Sequence, residues 1–567
     1  MQRWKFVPMG AAVLACVILL GSVAAAAPGV DLTWRVIPAG GGHSQSLAYR
    51  LDGSAGQPLT GSAGARSYQL NAGFWTIPKA TSGPTGTPTP PRTPTPTRTP
   101  TPTVTSTPGA HLTVNSTDDN DDGVCNAAHC SLREAMTAAS HRTGPDVIEF
   151  DIPKTAAGYN AATGVWTIHV TASLPTLADQ TTIDATTQTD HQGNTNPLGP
   201  EVEIDGGTLG EQGFSGFWLG GANTLRGLAI HHFAYSIWIA HADSLVADNY
   251  IGTDATGQVG LGNRLDGILV INGAEGNTIE NNLISGNVGN GIRISGSTTT
   301  SNTVRNNRIG TNAAGTAAIP NHYSGVVIEQ GAYDNVVDDN LISGHYWDGI
   351  SLTDPATNGN AMRHNRIGVD AAGAALPNGR YGVSLIGGPS NNYFGSDNLV
   401  AFNASHGVAV DGVGSFTGTI GNVIASTRIT QNGGKGIANL RGGNAELAPP
   451  TITSATTTQV FGTACAGCLI EVFSDSSDEG AVFEGIAGVN EAGLWGMSKL
   501  AGLTGPFLTA TVRDANGNTS EFSAPFNLNV SPTATPTATR SPTATMTPTV
   551  TSTPTPASRL HLPLISR

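Results

Sequence analysis

The chain is 567 residues long, with 73 glycines, 12% charged residues and 6% aromatics. Its formal charge of −14 is spread without a basic stripe, which excludes nucleic acid as a partner, because phosphate binding needs clustered Lys and Arg. Abundant glycine suits tight turns, so the composition points away from helical bundles and towards an all-β fold with room for several domains.

Residues 1–26 read as a signal peptide. Arg3 and Lys5 precede an apolar run from Ala11 to Leu20, and Ala24-Ala25-Ala26 offers a small-residue cleavage site. An uncleaved anchor and a lipoprotein cut before Cys16 are the rival readings; the apolar run continuing past Cys16 is awkward for the second. No later stretch is long and apolar enough to span a bilayer, so no membrane span is expected after signal cleavage. Residues 30–78 form a small Gly-rich β unit, and Gly56-Gln57 with Gly73-Phe74-Trp75 resembles a lead module found in front of bacterial surface proteins. Trp75 either closes a small core or stacks on a sugar. Residues 79–110 and 530–557 are Thr/Pro-rich linkers, as in Thr93-Pro94-Thr95-Pro96-Thr97. They cannot bury apolar area and are expected to run as extended spacers.

Asp118, Asn120 and Asp122, followed by Gly123, fit the first half of a calcium loop, in which alternate oxygens converge as glycine bends the chain. The twelfth position holds His129 where an EF-hand needs glutamate, so a full EF-hand is excluded. An acidic, solvated turn is the competing reading. Calcium is the one ion the sequence suggests, and no organic cofactor is expected. Cys125 with Cys130 and Cys465 with Cys468 are two close pairs, for which export and proximity favour local disulfides. A redox role for Cys465-Ala466-Gly467-Cys468 would need a βαβ context, and the flanks are strand-like.

Ser131-Leu132-Arg133-Glu134 is a capping box, followed by the helix-favouring stretch Ala135–Ala139. The run Cys130 to Ala135, C-S-L-R-E-A, resembles the signature of CSLREA-type bacterial surface proteins. That resemblance implies a β-helix directly after the motif.

A repeat begins at Asn223, Ser244, Asn277, Asn302, Asn335, Asn360, Asn391 and Asn422, every 21 to 33 residues. The longer turns carry an insertion of about eight residues, as in Gly310-Thr311-Asn312-Ala313-Ala314-Gly315. Each copy leads into a Gly-apolar-x-apolar strand such as Gly291-Ile292. Third-position residues (Leu225, Val246, Ile279, Val304, Val337, Met362, Ile424) and eighth-position residues (Ile230, Ile251, Ile284, Ile309, Ile342, Ile367, Ile429) are expected to stack inward. Asn249, Asn282, Asn307, Asn340 and Asn365 stand between them, once per coil. This resembles the asparagine ladder of right-handed parallel β-helices of the pectate-lyase-like kind. The fold expected for residues 111–445 is therefore such a β-helix, opened by a short capping helix.

Stacking places Glu280, Arg305, Asp338 and Arg363 in one column, with Asn281, Asn306, Asp339 and His364 beside it. Asp338, Asp339 and His364 are the first candidates for catalysis, since a carboxylate pair can protonate a glycosidic oxygen and activate water; a surface ion-pair ladder is the bland reading. Tyr323, Tyr346, Trp347 and Tyr381 precede the Gly-apolar strands of successive coils and are the candidates for binding a sugar, against turn aromatics that merely pack over loops. Residues 449–529 change to alternating strands, and Asp514 to Ser523 resembles the closing stretch of bacterial Ig-like domains, which implies a β-sandwich serving as spacer or adhesion module. Residues 558–567 are an apolar-basic tail, either an attachment tag or a loose end. The function expected is adhesion or glycan binding without catalysis, at the cell surface or secreted, with an extracellular glycan or a cell-envelope component as partner. A polysaccharide lyase or glycoside hydrolase is the alternative, and a structural stalk or envelope-layer component is the second.

Overall fold

The computed structural model describes residues 109–528 apart from 143, 178–179, 213–214 and 414–417, together with the backbone of four short strands between 42 and 72. The signal segment, Trp75, nearly all of both linkers and the tail lie outside the described residues. The four early strands, Gly42–Gln45, Arg50–Gly53, Gly61–Ala65 and Tyr68–Ala72, pair in sequence order as an antiparallel meander.

From His111 the chain winds as a right-handed parallel β-helix with three faces. Among the described residues, the first and second sheets have eleven strands each and the third has nine. The first sheet runs from His111–Val114 to Val423–Ile424, and the third from Phe217–Leu219 to Ile437–Leu440. The expected columns form. Ile279 pairs with Val304, Val304 with Val337 and Val337 with Met362 on the first sheet. On the second, Ile284 pairs with Ile309, then Ile342, then Ile367. All these side chains are fully buried, and each such burial is worth about 1.5–3 kcal/mol. Glycine opens the third-sheet strands because the bend is crowded: a Cβ at Gly349 would lie 2.6 Å from the Gly382 carbonyl oxygen and 2.7 Å from the Ile367 side chain.

The polar groups at the bends are met by asparagine ladders. The expected one runs on to Asn398, with side-chain amides joined at 3.0–3.2 Å from coil to coil. A second links Asn277, Asn302, Asn335, Asn360, Asn392 and Asn422 at 2.8–3.1 Å. A third joins Asn263 to Asn287 to Asn321, and Asn378 to Asn403 to Asn432. His345 interrupts it: the backbone N–H of His345 donates to Asn378 Oδ1, but neither ring nitrogen meets a partner at hydrogen-bonding geometry. Burial pushes this imidazole down to about 4.

Both ends of the solenoid are covered. At the start, the helix Leu132–Ser140 carries the expected capping box: the Ser131 backbone N–H donates to Glu134 Oε2 at 2.8 Å, and the Glu134 N–H donates to Ser131 Oγ at 3.1 Å. Cys125 and Cys130 are bonded beside it, and Cys465 and Cys468 are bonded further on. At the other end, the strands between Thr451 and Asn527 form a three-stranded and a four-stranded antiparallel sheet around one core that includes Val460, Ile470, Trp495 and Leu508. The sequence implied a spacer or adhesion module here, but these strands also seal the last coil. Backbone N–H groups of Gly421, Ile424, Ser426, Asn432 and Asn439 donate to Asn518, Thr519, Glu471, Glu479 and Glu521 at 2.7–3.2 Å. The sandwich thus supplies oxygens where a further coil would have supplied carbonyls, and Phe522 packs on the apolar end. That removes the open strand edge, a template for aggregation.

Candidate functional site

The edge leading into the third sheet gathers the exposed aromatics. The backbone N–H of Trp347 donates to Tyr323 O, and that of Arg380 to Trp347 O, so Tyr323, Trp347 and Arg380 occupy one column on three successive coils. Tyr323 and Trp347 meet edge to face at 5.5 Å. The Arg380 guanidinium lies 5.9 Å from the Trp347 ring and 4.3 Å from the Tyr381 ring, and Tyr381 stacks on His406 at 5.5 Å. Tyr346 stands one position earlier and meets His322 at 5.4 Å. The four aromatics therefore form an adjoining patch drawn from three columns. Tyr346, Trp347 and Tyr323 are 60%, 48% and 45% exposed, so these rings do not serve as core. Beneath them Asp348 is buried, its carboxylate accepting the Tyr381 N–H at 3.1 Å and Ser384 Oγ at 2.8 Å, with Arg380 at 3.8 Å. Burial raises its pKa above the usual carboxylate value.

Sequence reading missed the start of this face. Trp218 and Trp238 are register partners, outward in Phe217-Trp218-Leu219 and Ile237-Trp238-Ile239, and stack at 5.2 Å. Tyr235 meets Trp238 edge-on at 5.3 Å and accepts from Arg293 Nη2 at 3.2 Å. Arg293 Nε in turn lies 2.7 Å from Asp266. The signal was available: an apolar-Trp-apolar triplet recurring twenty residues on marks one outward column.

Glu280, Arg305, Asp338 and Arg363 do lie in one column of the first sheet. Arg305 Nε is 2.6 Å from Glu280, and Asp338 is held by Arg363 Nε at 3.0 Å and by His364 Nδ1 at 2.7 Å. The neighbouring column has a backbone cause. Asn281, Asn306, Asp339 and His364 all have φ between 54° and 58°, a left-handed bend that Asn, Asp and His tolerate better than most residues. Asp339 is exposed there.

At the calcium-like loop, Asp118 accepts from Ser116 Oγ and from the Asn120 N–H at 3.0 Å, and it lies 3.1 Å from His129 Nε2. The Asn120 carbonyl accepts from Ser131 Oγ at 2.5 Å, and Asp122 Oδ1 accepts the Val124 N–H at 3.0 Å. His129 Nδ1 reaches Glu134 at 3.1 Å. The histidine in place of glutamate thus ties the loop to the capping box, and a cation at Asp118, Asn120 and Asp122 would compete with these donors.

No curated protein matches the chain in sequence. Among solved structures, a double mutant of the periplasmic alginate epimerase AlgG aligns with 16% identity and a TM-score of 0.32, covering 52% of this chain and 74% of that one. The A-module of the Azotobacter vinelandii mannuronan C-5 epimerase AlgE4 aligns with 15% identity and a TM-score of 0.36, covering 57% and 94%. The pectate lyase Pel9A aligns with 12% identity and a TM-score of 0.32, covering 57% and 80%. The family described as right handed beta helix region matches residues 201–452.

Proposed function

We propose that the chain is an exported β-helix protein of the cell surface or its surroundings that binds a glycan without cleaving it. The single observation behind this reading is the exposed aromatic and cationic edge at Tyr323, Trp347, Arg380 and Tyr381. Exposed rings on successive coils offer apolar surface to sugar rings, and Arg380 adds a charge suited to an acidic sugar. With Trp218 and Trp238 at the far end, the same face could carry a chain of several sugar units. Export rests on the charged start and the apolar run of residues 1–26, surface placement on the CSLREA-like run at Cys130–Ala135, and the Ig-like reading of the last folded segment on Asp514–Ser523.

The hydrolase reading is weaker because the acids of the first-sheet column are already paired. Glu280 and Asp338 are two coils, about 10 Å, apart, with Arg305 between them, beyond the spacing retaining and inverting pairs use. On a glycan array, the wild type is expected to bind a charged polysaccharide, and Trp347→Ala to bind it at least about tenfold more weakly. Asp338→Asn, Asp339→Ala and His364→Ala should bind as the wild type does. Release of reducing ends by the wild type, abolished in Asp338→Asn or Asp339→Ala, would replace this reading with the hydrolase.

A further inference from the structure

A second polar cluster sits on the outer face of the second sheet, in the early coils. His169 and Asp205 are register partners, as are Asp205 and His231, so the three side chains rise in one column on successive strands. His232 joins them because its φ of 63° breaks strand alternation just past the strand end and brings a second imidazole to the same side. Asp205 Oδ1 lies 2.7 Å from His232 Nδ1 and 3.5 Å from His231 Nδ1. The two Nδ1 atoms are 3.0 Å apart, and Asp205 Oδ2 is 3.0 Å from His169 Nδ1.

This arrangement is not that of a simple hydrogen-bonded network. The two facing Nδ1 atoms can share only one proton, so His232 Nδ1 cannot both donate to Asp205 Oδ1 and accept from His231 Nδ1. Their mutual separations are instead close to the roughly 3.3 Å edge of a tetrahedron with metal bonds of 2.0–2.1 Å. His231 is 1% exposed, and its Nε2 lies 3.3 Å from Glu203 Oε1 without meeting hydrogen-bonding geometry there. The approach is kept clear by Gly207, where a methyl would stand 3.1 Å from Asp205 Oδ1 and 3.5 Å from His232 Nδ1.

We propose that Asp205, His231 and His232, with His169 at the rim, bind a divalent transition-metal ion of the zinc class. Imidazole with one carboxylate favours such an ion over calcium or magnesium, which prefer all-oxygen sets. Because the ligands come from consecutive strands, the bound ion ties the early coils together. The other histidine–carboxylate group among the described residues, Asp122, His129 and Glu134, is a poorer site: both Glu134 oxygens accept backbone N–H groups, from Ser131 and Asp122, whereas at Asp205 only Oδ1 does, from Gly207 at 2.9 Å.

Zinc chloride titrated calorimetrically into the full chain tests this. The expected result is one equivalent bound, with affinity falling at least tenfold in Asp205→Asn and in His232→Gly, unchanged in His129→Ala, and accompanied by a higher melting temperature. Cobalt in place of zinc should give the intense visible bands of a four-coordinate ion. His169→Ala, at an exposed rim position, keeps the test open if either central variant folds poorly, and should weaken binding severalfold. Absence of zinc binding, affinity undiminished in both central variants or in His169→Ala, or binding lost only in His129→Ala would overturn the assignment.

Discussion

Asn307→Ala is expected to destabilise the β-helix by about 3–5 kcal/mol, one of the largest losses from any single polar residue in the chain. Asn307 donates from Nδ2 to Asn340 Oδ1 and to the carbonyls of Ile279 and Arg305, and its Oδ1 accepts both the backbone N–H and the side-chain amide of Asn282. Truncation leaves the Asn282 N–H buried without its acceptor, opens a void, and cuts the ladder at mid-solenoid. The adjacent Asn306 is the control. It is exposed with φ 55°, so Asn306→Gly keeps the bend and should change stability by less than about 1 kcal/mol. Urea unfolding followed by tryptophan fluorescence separates the two, and equal losses would mean the ladder contributes no more than the bend.

Acid acts in opposite senses on two buried groups, Glu479 and His345. Glu479, which caps Asn432 from the sandwich, has its carboxyl pushed up to about 7 by burial, against the opposing hydrogen bonds from Asn432 and with the help of Asp475 and Asp478. A carboxyl raised from 4.5 holds a proton in the folded chain that the unfolded chain has lost, so its contribution is full below pH 4.5 and is lost as pH rises through 7. His345 works in the other direction. Lowered from 6.5 to about 4, it binds a proton on unfolding, so stability falls as pH drops from 6.5 towards 4. Each is worth up to about 3 kcal/mol, and in the wild type the two largely offset one another. Glu479→Gln should therefore leave a melting temperature that climbs between pH 4.5 and 6.5. His345→Asn, which also restores an amide between Asn321 and Asn378, should leave one that declines over the same window. Slopes of the same sign in both variants would refute this assignment.

The sequence made some features easy to read and hid others, for physical reasons. The inward columns were legible because Ile284, Ile309, Ile342 and Ile367 recur at one register and nothing interrupts them. One asparagine ladder was visible in the same frame. The third was not, because insertions such as Gly310–Gly315 fall between its members and His345 replaces one of them. The sandwich read as a separate module since alternation along a strand carries no record of what its ends touch; that Glu471, Glu479 and Glu521 face the last coil is a matter of tertiary placement. His169, Asp205 and His231 lie in coils too irregular for the repeat to align. In the later coils, Asp339 and His364 drew attention as reactive side chains, when the column they share follows from a left-handed bend.

The aromatic edge is expected to bind sugar and to leave it whole. An oligosaccharide selected from the array can be titrated calorimetrically into wild type and Trp347→Ala, and recovered afterwards for mass spectrometry. Saturable binding to the wild type, weakened in the variant, with an oligosaccharide of unchanged mass, is the predicted result. Equal binding by both proteins, or a recovered sugar that is shortened or unsaturated, would contradict it.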